Sequence, residues 1–557
     1  MFGHGQATAI AAFILIASAL LTVPAAAFVL WLCGRSVRRG MTKTSSQVLE
    51  PSRVPPQAQS IRSASRLTVQ VFDPKVDTSS GAFRKAQHSL RQAILVYGIA
   101  GVGFALPFAV AWSLQIDGNA WAWRRTIELT GIYYWPTVLA ILLLAATSRT
   151  ERLKIQLLLF AAIGAFSLYE LAISPQLTVG QLVVLWLTTN GLPTLLIAAL
   201  LVRQLRAVGP IIFAFLLVVV TGMTIAPSIA FGSERRMLWA IKIGGAVGLG
   251  GTAIFYAAFV LGFLCCCLPA WWLLRYMGDL YRRKQVSDQS VMLDALFFIF
   301  AVEQSIGLDP RGKFVFTGIV SFVGYKALKW IGFRYLRLRR TDTDTAPVLL
   351  VLRVFSLGAR SGKLFDALTK WWRRAGSVVM IAGPDLIKST IQPHEFLEFV
   401  GGGISREFVS DATDLAKRVA AIDLKPDPDG RYRINQFFCH PDTWQMTMQE
   451  LAWHSSVIMM DLRSFSAGNQ GCVYELDQIL KSVNLRRVVF VVDSTTDRAF
   501  LEQTLQRLWL GVFADSPNAR VADPCVQLFE GHVEDAGDLR KLIQHLLVPL
   551  ASQAAAE

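Results

Sequence analysis

The sequence predicts a polytopic α-helical membrane domain followed by a cytoplasmic α/β domain built on a doubly wound parallel sheet. Three observations lead there. The 557 residues are 53% hydrophobic and only 17% charged, whereas an ordinary soluble protein is nearer a quarter charged, and the apolar excess lies in blocks before residue 335. The basic residues crowd into alternate connections between those blocks. From Pro347 onward the texture changes to short apolar runs, each followed by a helical pattern.

The blocks at about 8–32, 93–113, 131–147, 155–174, 180–202, 210–231 and 243–270 approach or exceed the roughly 20 apolar residues that cross a hydrocarbon core. Inside lipid each backbone amide must be paired within its own segment, so these seven read as helices, and residues 1–275 as the membrane domain. The first block holds Ala25-Ala26-Ala27, but it lacks a basic leader and Arg-rich sequence follows it, so it reads as a retained anchor rather than a cleaved signal peptide. After it come Arg35, Arg38, Arg39, Lys43, Arg53, Arg62, Arg66, Lys75, Arg84, Lys85 and Arg91. Arg149, Arg152, Lys154, Arg203, Arg206, Arg275, Arg282, Arg283 and Lys284 fall on the same side, against Arg124, Arg125, Arg235, Arg236 and Lys242 on the other. The positive-inside rule then puts the N-terminus outside and the C-terminal domain in the cytoplasm of a cell (inner) membrane. Much of the +15 net charge is explained this way, so the expected partner is the lipid bilayer and no nucleic acid is invoked.

Within the membrane part, residues 34–90 are expected to be a loosely ordered cytoplasmic loop, because 41–80 is rich in Ser, Thr, Pro and Gln without an apolar period. Thr188-Thr189-Asn190-Gly191-Leu192-Pro193 suggests a kinked helix in mid-span. Gly244, Gly245, Gly248, Gly250 and Gly251 suggest close helix contact. Predicted span centres hold almost no ionisable residues, which disfavours ion-coupled transport. Residues 276–346 are expected as juxtamembrane amphipathic helices and linker. Asp294, Glu303, Lys326 and Lys329 interrupt their apolar pattern, and a further hairpin of spans is the alternative. The seven cysteines show no zinc spacing, and those assigned inside or at the cytoplasmic face are not expected to form disulfides.

Residues 347–557 read as the α/β domain. Val348–Phe355, Val378–Ala382, Val457–Leu462, Val488–Val492 and Val526–Phe529 have the two-faced apolar texture of central parallel strands. Helical patterns follow at Lys363–Arg374, Asp411–Ile422, Thr443–His454, Cys472–Ser482 and Asp497–Leu508. Arg431–Cys439, after the turn Asp427-Pro-Asp-Gly430, reads as an extra hairpin or edge strand. A ligand site belongs at the carboxyl ends of such strands. The turn Ser356-Leu-Gly-Ala-Arg-Ser-Gly-Lys363 lacks Walker spacing, yet a Gly-rich turn into a helix can hold phosphate through amides and dipole. Asp461 and Asp493 end strands at the same face, where Asp also caps turns. His440 and His454 read as structural.

Asp461 is followed by a Ser/Gly/Asn loop and a helix opening at Asn469, an expected N-cap. The stretch Gln470-Gly471-Cys472-Val473-Tyr474-Glu475-Leu476 resembles the TIR (Toll/interleukin-1 receptor) superfamily, whose corresponding helix opens Trp-Cys-x-x-Glu-Leu. Cys472, Glu475 and Leu476 match, and Gly471 stands where Trp is usual. Phe365-Asp366, Leu368 and Ala375-Gly376 also look TIR-like. The usual Arg-Asp-x-x-Pro-Gly loop is replaced by Pro384-Asp385 and a long segment, which leaves the mode of assembly open. The resemblance covers roughly residues 347–510 and implies a flavodoxin-like sheet. It also implies a catalytic Glu475 that promotes cleavage of the NAD nicotinamide–ribose bond, since a carboxylate stabilises oxocarbenium-like ribose or positions its 2′-hydroxyl. Arg353, Ser356, Gly358, Ser361, Phe465 and Ser466 would line the pocket. NAD is then a substrate, with no tightly bound cofactor and no metal.

The expected function is a membrane sensor or anchor carrying a TIR-like signalling domain, an NAD nucleosidase of a bacterial defence type, working as a homo-oligomer with a cytoplasmic signalling protein as partner. The alternatives are a non-enzymatic membrane-tethered scaffold, or a channel or transporter with a regulatory nucleotide-binding tail.

Overall fold

The computed structural model describes residues 4–44, 66–71, 81–116, 122–145, scattered positions between 153 and 172, 178–186, 208–308, 316–336, 346–354, 359–383 and 391–553, except 514, 520, 522 and 532–535. Eight strands form one parallel sheet: β1 (Thr68–Val71), β2 (Val348–Arg353), β3 (Ser377–Ile381), β4 (Phe408–Val409), β5 (Ile434–Cys439), β6 (Val457–Asp461), β7 (Val488–Val492) and β8 (Cys525–Glu530). Their order is β1-β8-β7-β6-β2-β3-β5-β4. Every residue of β2, β3, β6 and β7 is buried, as a parallel sheet covered on both faces requires.

Successive side chains of a strand point to opposite faces, and β2 shows the consequence. Leu350 and Leu352 join the core beneath helices Trp444–His454, Gln470–Ser482 and Arg498–Trp509, through Met448, Leu476 and Leu505. Leu349 and Val351 face helices Ala359–Trp372 and Ala536–Gln553, through Leu368, Trp372 and Leu546. The chain leaves β2 over one face to reach β3 and leaves β6 over the other to reach β7. The order of β3, β2, β6, β7 and β8 is that of a flavodoxin-like sheet, and its switch point lies between β2 and β6.

Four elements differ from expectation. The loop expected over 34–90 contains β1, which pairs with β8 from Thr68↔Cys525 to Val71↔Leu528. Leu67, Val69 and Val71 alternate with Thr68 and Gln70 at the strand period of two, but the run is too short to stand out from the polar sequence around it, and the partner strand supplies the order. The flanking helices also run into this interval, ending at Met41 and starting at Gly81. Ile434–Cys439 is a parallel interior strand held between β3 and β4, neither a hairpin nor an edge. The expected turn before it does form, with Gly430 at φ 78° and its N–H donating to Asp427 O at 2.9 Å.

Among the described residues four helices are long and apolar enough to cross a membrane: Phe13–Met41, Arg84–Gln115, Gly209–Phe231 and Gly251–Arg282. They correspond to the blocks at 8–32, 93–113, 210–231 and 243–270. Residues 131–147 contain the helix Trp135–Ala145, while the blocks at 155–174 and 180–202 and the Thr188–Pro193 motif fall largely or wholly outside the described residues. The last block starts later than expected. Helix Glu234–Ala246 ends in a turn with Gly248 at φ 77°, a backbone that favours glycine. Of the glycines expected to mediate helix contact, a Cβ on Gly245, Gly248, Gly250 or Gly251 would meet nothing within 4 Å, and only Gly244 is packed, against Ile254. Close helix contact occurs instead at Gly222, where a Cβ would lie 2.5 Å from Gly262 O.

Helices Asp288–Gly307 and Thr317–Tyr335 pack into the same bundle. Thr317–Tyr335 lies along Gly81–Ile116 so closely that a Cβ on Gly324 would stand 2.7 Å from Gly103 O. Three of the four charges that interrupt the pattern meet one another: Asp294 accepts from Lys326 Nζ at 2.6 Å and from Lys329.

The bundle joins the sheet domain through a buried polar seam. Asp288 Oδ2 pairs with Arg373 Nη1 at 3.0 Å and Oδ1 with Arg431 Nη1 at 3.2 Å. Ser287 Oγ donates to Asp429 Oδ2 at 2.6 Å. Arg433 lies 3.9 Å over the Tyr281 ring and donates from Nε to Asp427 Oδ1 at 3.0 Å. Burial pushes the Asp427 carboxyl up to about 6, against the lowering pull of Arg433. Apolar contacts continue the seam, with Val37, Val208 and Leu274 of three helix ends in one cluster with Ala382, Phe396 and Phe438.

Candidate functional site

The switch point brings together the last residues of two central strands. Arg353 ends β2 and Asp461 ends β6, and the two are register partners. Both are buried, Arg353 4% and Asp461 2% exposed. Asp461 holds Arg463 in a two-pronged ion pair, with Nε to Oδ1 at 2.8 Å and Nη2 to Oδ2 at 2.7 Å. This geometry matches a planar guanidinium to a carboxylate and fixes the chain as it leaves the strand.

Glu475 enters this cluster from helix Gln470–Ser482, one turn in from the helix start. Cys472, Leu476 and Ile479 on its inward stripe bury the helix, and Glu475 follows the same stripe. Its side chain is 2% exposed, and Oε2 accepts no hydrogen bond. Burial pushes the carboxyl up to about 8, against the lowering pull of the Arg353 guanidinium. A protein rarely leaves a buried carboxyl oxygen without a donor, because the loss is on the order of 1–3 kcal/mol. Perturbed carboxyls in a strand-end cluster are candidates for functional groups.

The remaining expected site residues divide. Arg353 and Glu475 are brought together. Phe465 is fully buried in the core and packs on Phe500 at 5.5 Å between ring centroids, so it supports the loop from beneath rather than lining a pocket. Ser466 is turned to Asn469, whose Oδ1 accepts from Ser466 N at 2.9 Å and Oγ at 3.2 Å. Asn469 thus closes the loop instead of capping the helix with its side chain. Ser356 and Gly358 lie outside the described residues. Ser361 sits in the first turn of helix Ala359–Trp372, and its side chain is outside the described set. Asp493 takes the turn-capping role, accepting from Thr495 N at 2.9 Å. Cys472 Sγ lies 3.9 Å from Arg353 O, and burial pushes its thiol well up, so it is a packed thiol and not a nucleophile.

Arg463 was not anticipated. Its signal is an Arg two residues after a strand-end Asp, a spacing that lets the side chain fold back onto the carboxylate. His440 and His454 have local roles: His440 Nδ1 lies 3.0 Å from Gly40 O at the end of the first helix, and His454 Nδ1 lies 2.9 Å from Glu450 O. A separate open depression of about 380 Å³ at the end of β4 is lined by Arg406, Asp411, Asp414, Lys417 and Arg418. Part of its charge is locally engaged, with Asp411 capping the helix by accepting from Asp414 N at 2.8 Å and Arg418 pairing with Asp414 at 2.9 Å. Among the described residues no group of His, Cys, Asp and Glu is placed to hold a metal. Comparison of the chain with protein-family models, curated proteins and solved structures gives no match.

Proposed function

We propose that the chain is a multi-pass anchor of the inner membrane whose cytoplasmic, TIR-like α/β domain signals from the membrane surface and cleaves NAD at the β2/β6 switch point. The observation that carries this reading is Glu475, a buried carboxyl with a free acceptor oxygen beside Arg353 at the position where doubly wound sheets take their ligands. Arg353 would meet the pyrophosphate, and Glu475 would face the ribose once its proton is lost. At pH 7 a carboxyl held near 8 is mostly protonated, so the sealed site is a resting form. Water and a cationic nicotinamide entering it would lower that pKa and supply the anion that the reaction needs.

The orientation follows the basic residues. Arg35, Arg38, Arg39, Arg84, Lys85, Arg91 and Arg282 sit toward the helix ends that meet the α/β domain, which supports a cytoplasmic domain and an N-terminus outside. The near-complete burial of Glu475 favours one competing reading, a non-enzymatic scaffold that clusters copies of the chain or recruits a signalling protein. The two separate in one experiment on the full chain in vesicles supplied with NAD. Release of nicotinamide that Glu475→Ala abolishes supports catalysis. No release at any protein density in the membrane removes the enzyme reading and leaves the scaffold. The full chain is required, because β1 and the helix ends complete the domain's edge and core.

A further inference from the structure

Three helices carry the same pair of side chains at the end facing the α/β domain. Arg35 lies 5.6 Å over the ring of Trp31, Arg275 5.6 Å over Trp271, and Arg334 5.5 Å over Trp330. All three arginines are exposed on the bundle surface. Trp31 is 47% and Trp330 63% exposed. A Trp ring settles where hydrocarbon meets headgroup, and an Arg one turn further toward the aqueous end reaches phosphate while stacked on it. From Gly251 to Trp271 the helix runs about 20 residues, roughly 30 Å at 1.5 Å per residue, the thickness of a hydrocarbon core. At its other end Lys242 lies 5.8 Å over Trp239 on the helix Glu234–Ala246, which marks the opposite headgroup layer.

Trp330 and Arg334 belong to Thr317–Tyr335, which is not among the four apolar candidate spans. Its lysines and Arg334 interrupt the apolar run, yet Asp294 engages both lysines, Lys329 buried and Lys326 41% exposed in its side chain. Its outward face is apolar, with Ile319, Val320 and Val323 all more than half exposed. A carboxylate shared by two lysines of the neighbouring helix, beside an apolar outer face, is compatible with lipid.

We propose that the three Trp–Arg pairs are headgroup sites for anionic phospholipid in the leaflet next to the α/β domain, and that the helix hairpin of Asp288–Gly307 and Thr317–Tyr335 is immersed in that leaflet with the spans, entering and leaving on the domain side. The headgroup phosphodiester accepts from the guanidinium, and the acyl chains cover the Trp ring and the apolar face behind it. This fixes the depth of the bundle beneath a domain that the polar seam already holds to residues 281–289.

The test uses the full chain in nanodiscs of phosphatidylcholine with and without phosphatidylglycerol. Native mass spectrometry is expected to show several phosphatidylglycerol molecules retained in preference to phosphatidylcholine. Arg35→Gln/Arg275→Gln/Arg334→Gln is expected to lower that retention several-fold, the matching triple Lys variant to keep most of it, and Lys242→Gln to leave it unchanged. A photo-crosslinking amino acid at Val320 is expected to capture acyl chains. No lipid preference, or retention unaltered in the triple Gln variant, overturns the headgroup sites. A Val320 probe that captures no lipid overturns immersion of the hairpin.

Discussion

Replacing Glu475 with Gln tests the buried carboxyl directly. An unfolded Glu titrates near 4.5, whereas burial holds the native group near 8. Between those values the native state keeps a proton that the unfolded chain has released, so native Glu475 lowers stability progressively as pH rises across the window. Each pH unit costs about 1.4 kcal/mol, so the penalty is near zero at pH 4.5 and about 3 kcal/mol at pH 7. Gln does not titrate, and any effect of its amide on packing is constant with pH. The Glu475→Gln variant is therefore expected to gain on the wild type as pH rises from 4.5 to 8, with the gain levelling above 8. Thermal unfolding of the two full chains in the same detergent, followed by near-UV circular dichroism, reads this as a widening Tm gap of several degrees for a domain of this size. A gap that stays flat with pH, or that turns against the variant as pH rises, refutes a sealed, protonated Glu475.

Three further expectations follow, two of them at the seam. Asp288→Ala removes the carboxylate shared by Arg373 and Arg431, which are 7% and 6% exposed in their side chains. Leaving buried guanidiniums without it is expected to cost about 3–5 kcal/mol, seen as a large drop in Tm. Glu128→Ala in the exposed pair with Arg124, 93% and 59% exposed, is expected to cost less than about 1 kcal/mol. His394 stacks on Tyr281 at 5.7 Å, and burial, aided by Arg433 and Arg282, pushes it down to about 4. Its neutral form is the native one, so its contribution is present above pH 6.5 and is lost as pH falls toward 4. His394→Phe keeps the stack and is expected to reduce the loss of Tm over that interval, measured by the same unfolding experiment.

The α/β domain was legible because its strands are apolar on both faces. Val348–Arg353, Val457–Asp461 and Val488–Val492 announce themselves by composition, and the helices between them by period, so a doubly wound sheet follows from local pattern. β1 and β4 did not show, since edge strands of four and two residues acquire their conformation from the one neighbour that hydrogen-bonds them. Glu475 was singled out by a short helix motif. Its burial was not, because whether a helix residue faces solvent or the sheet depends on how the helix is rolled against β6.

The sequence alone determined the division into an apolar helical part and an α/β part, the alternation of strand and helix, and the clustering of basic residues between apolar blocks. Each is a property of consecutive residues: their hydropathy, their period and their charge. Tertiary structure alone decided that Asp294 meets Lys326 and Lys329, that Asp288 joins Arg373 and Arg431, and that Arg353 stands beside Glu475. Those groups are tens to more than a hundred residues apart in the chain. Only the packing of helices and the crossing order of strands brings them within reach, and burial there changes what their charges do.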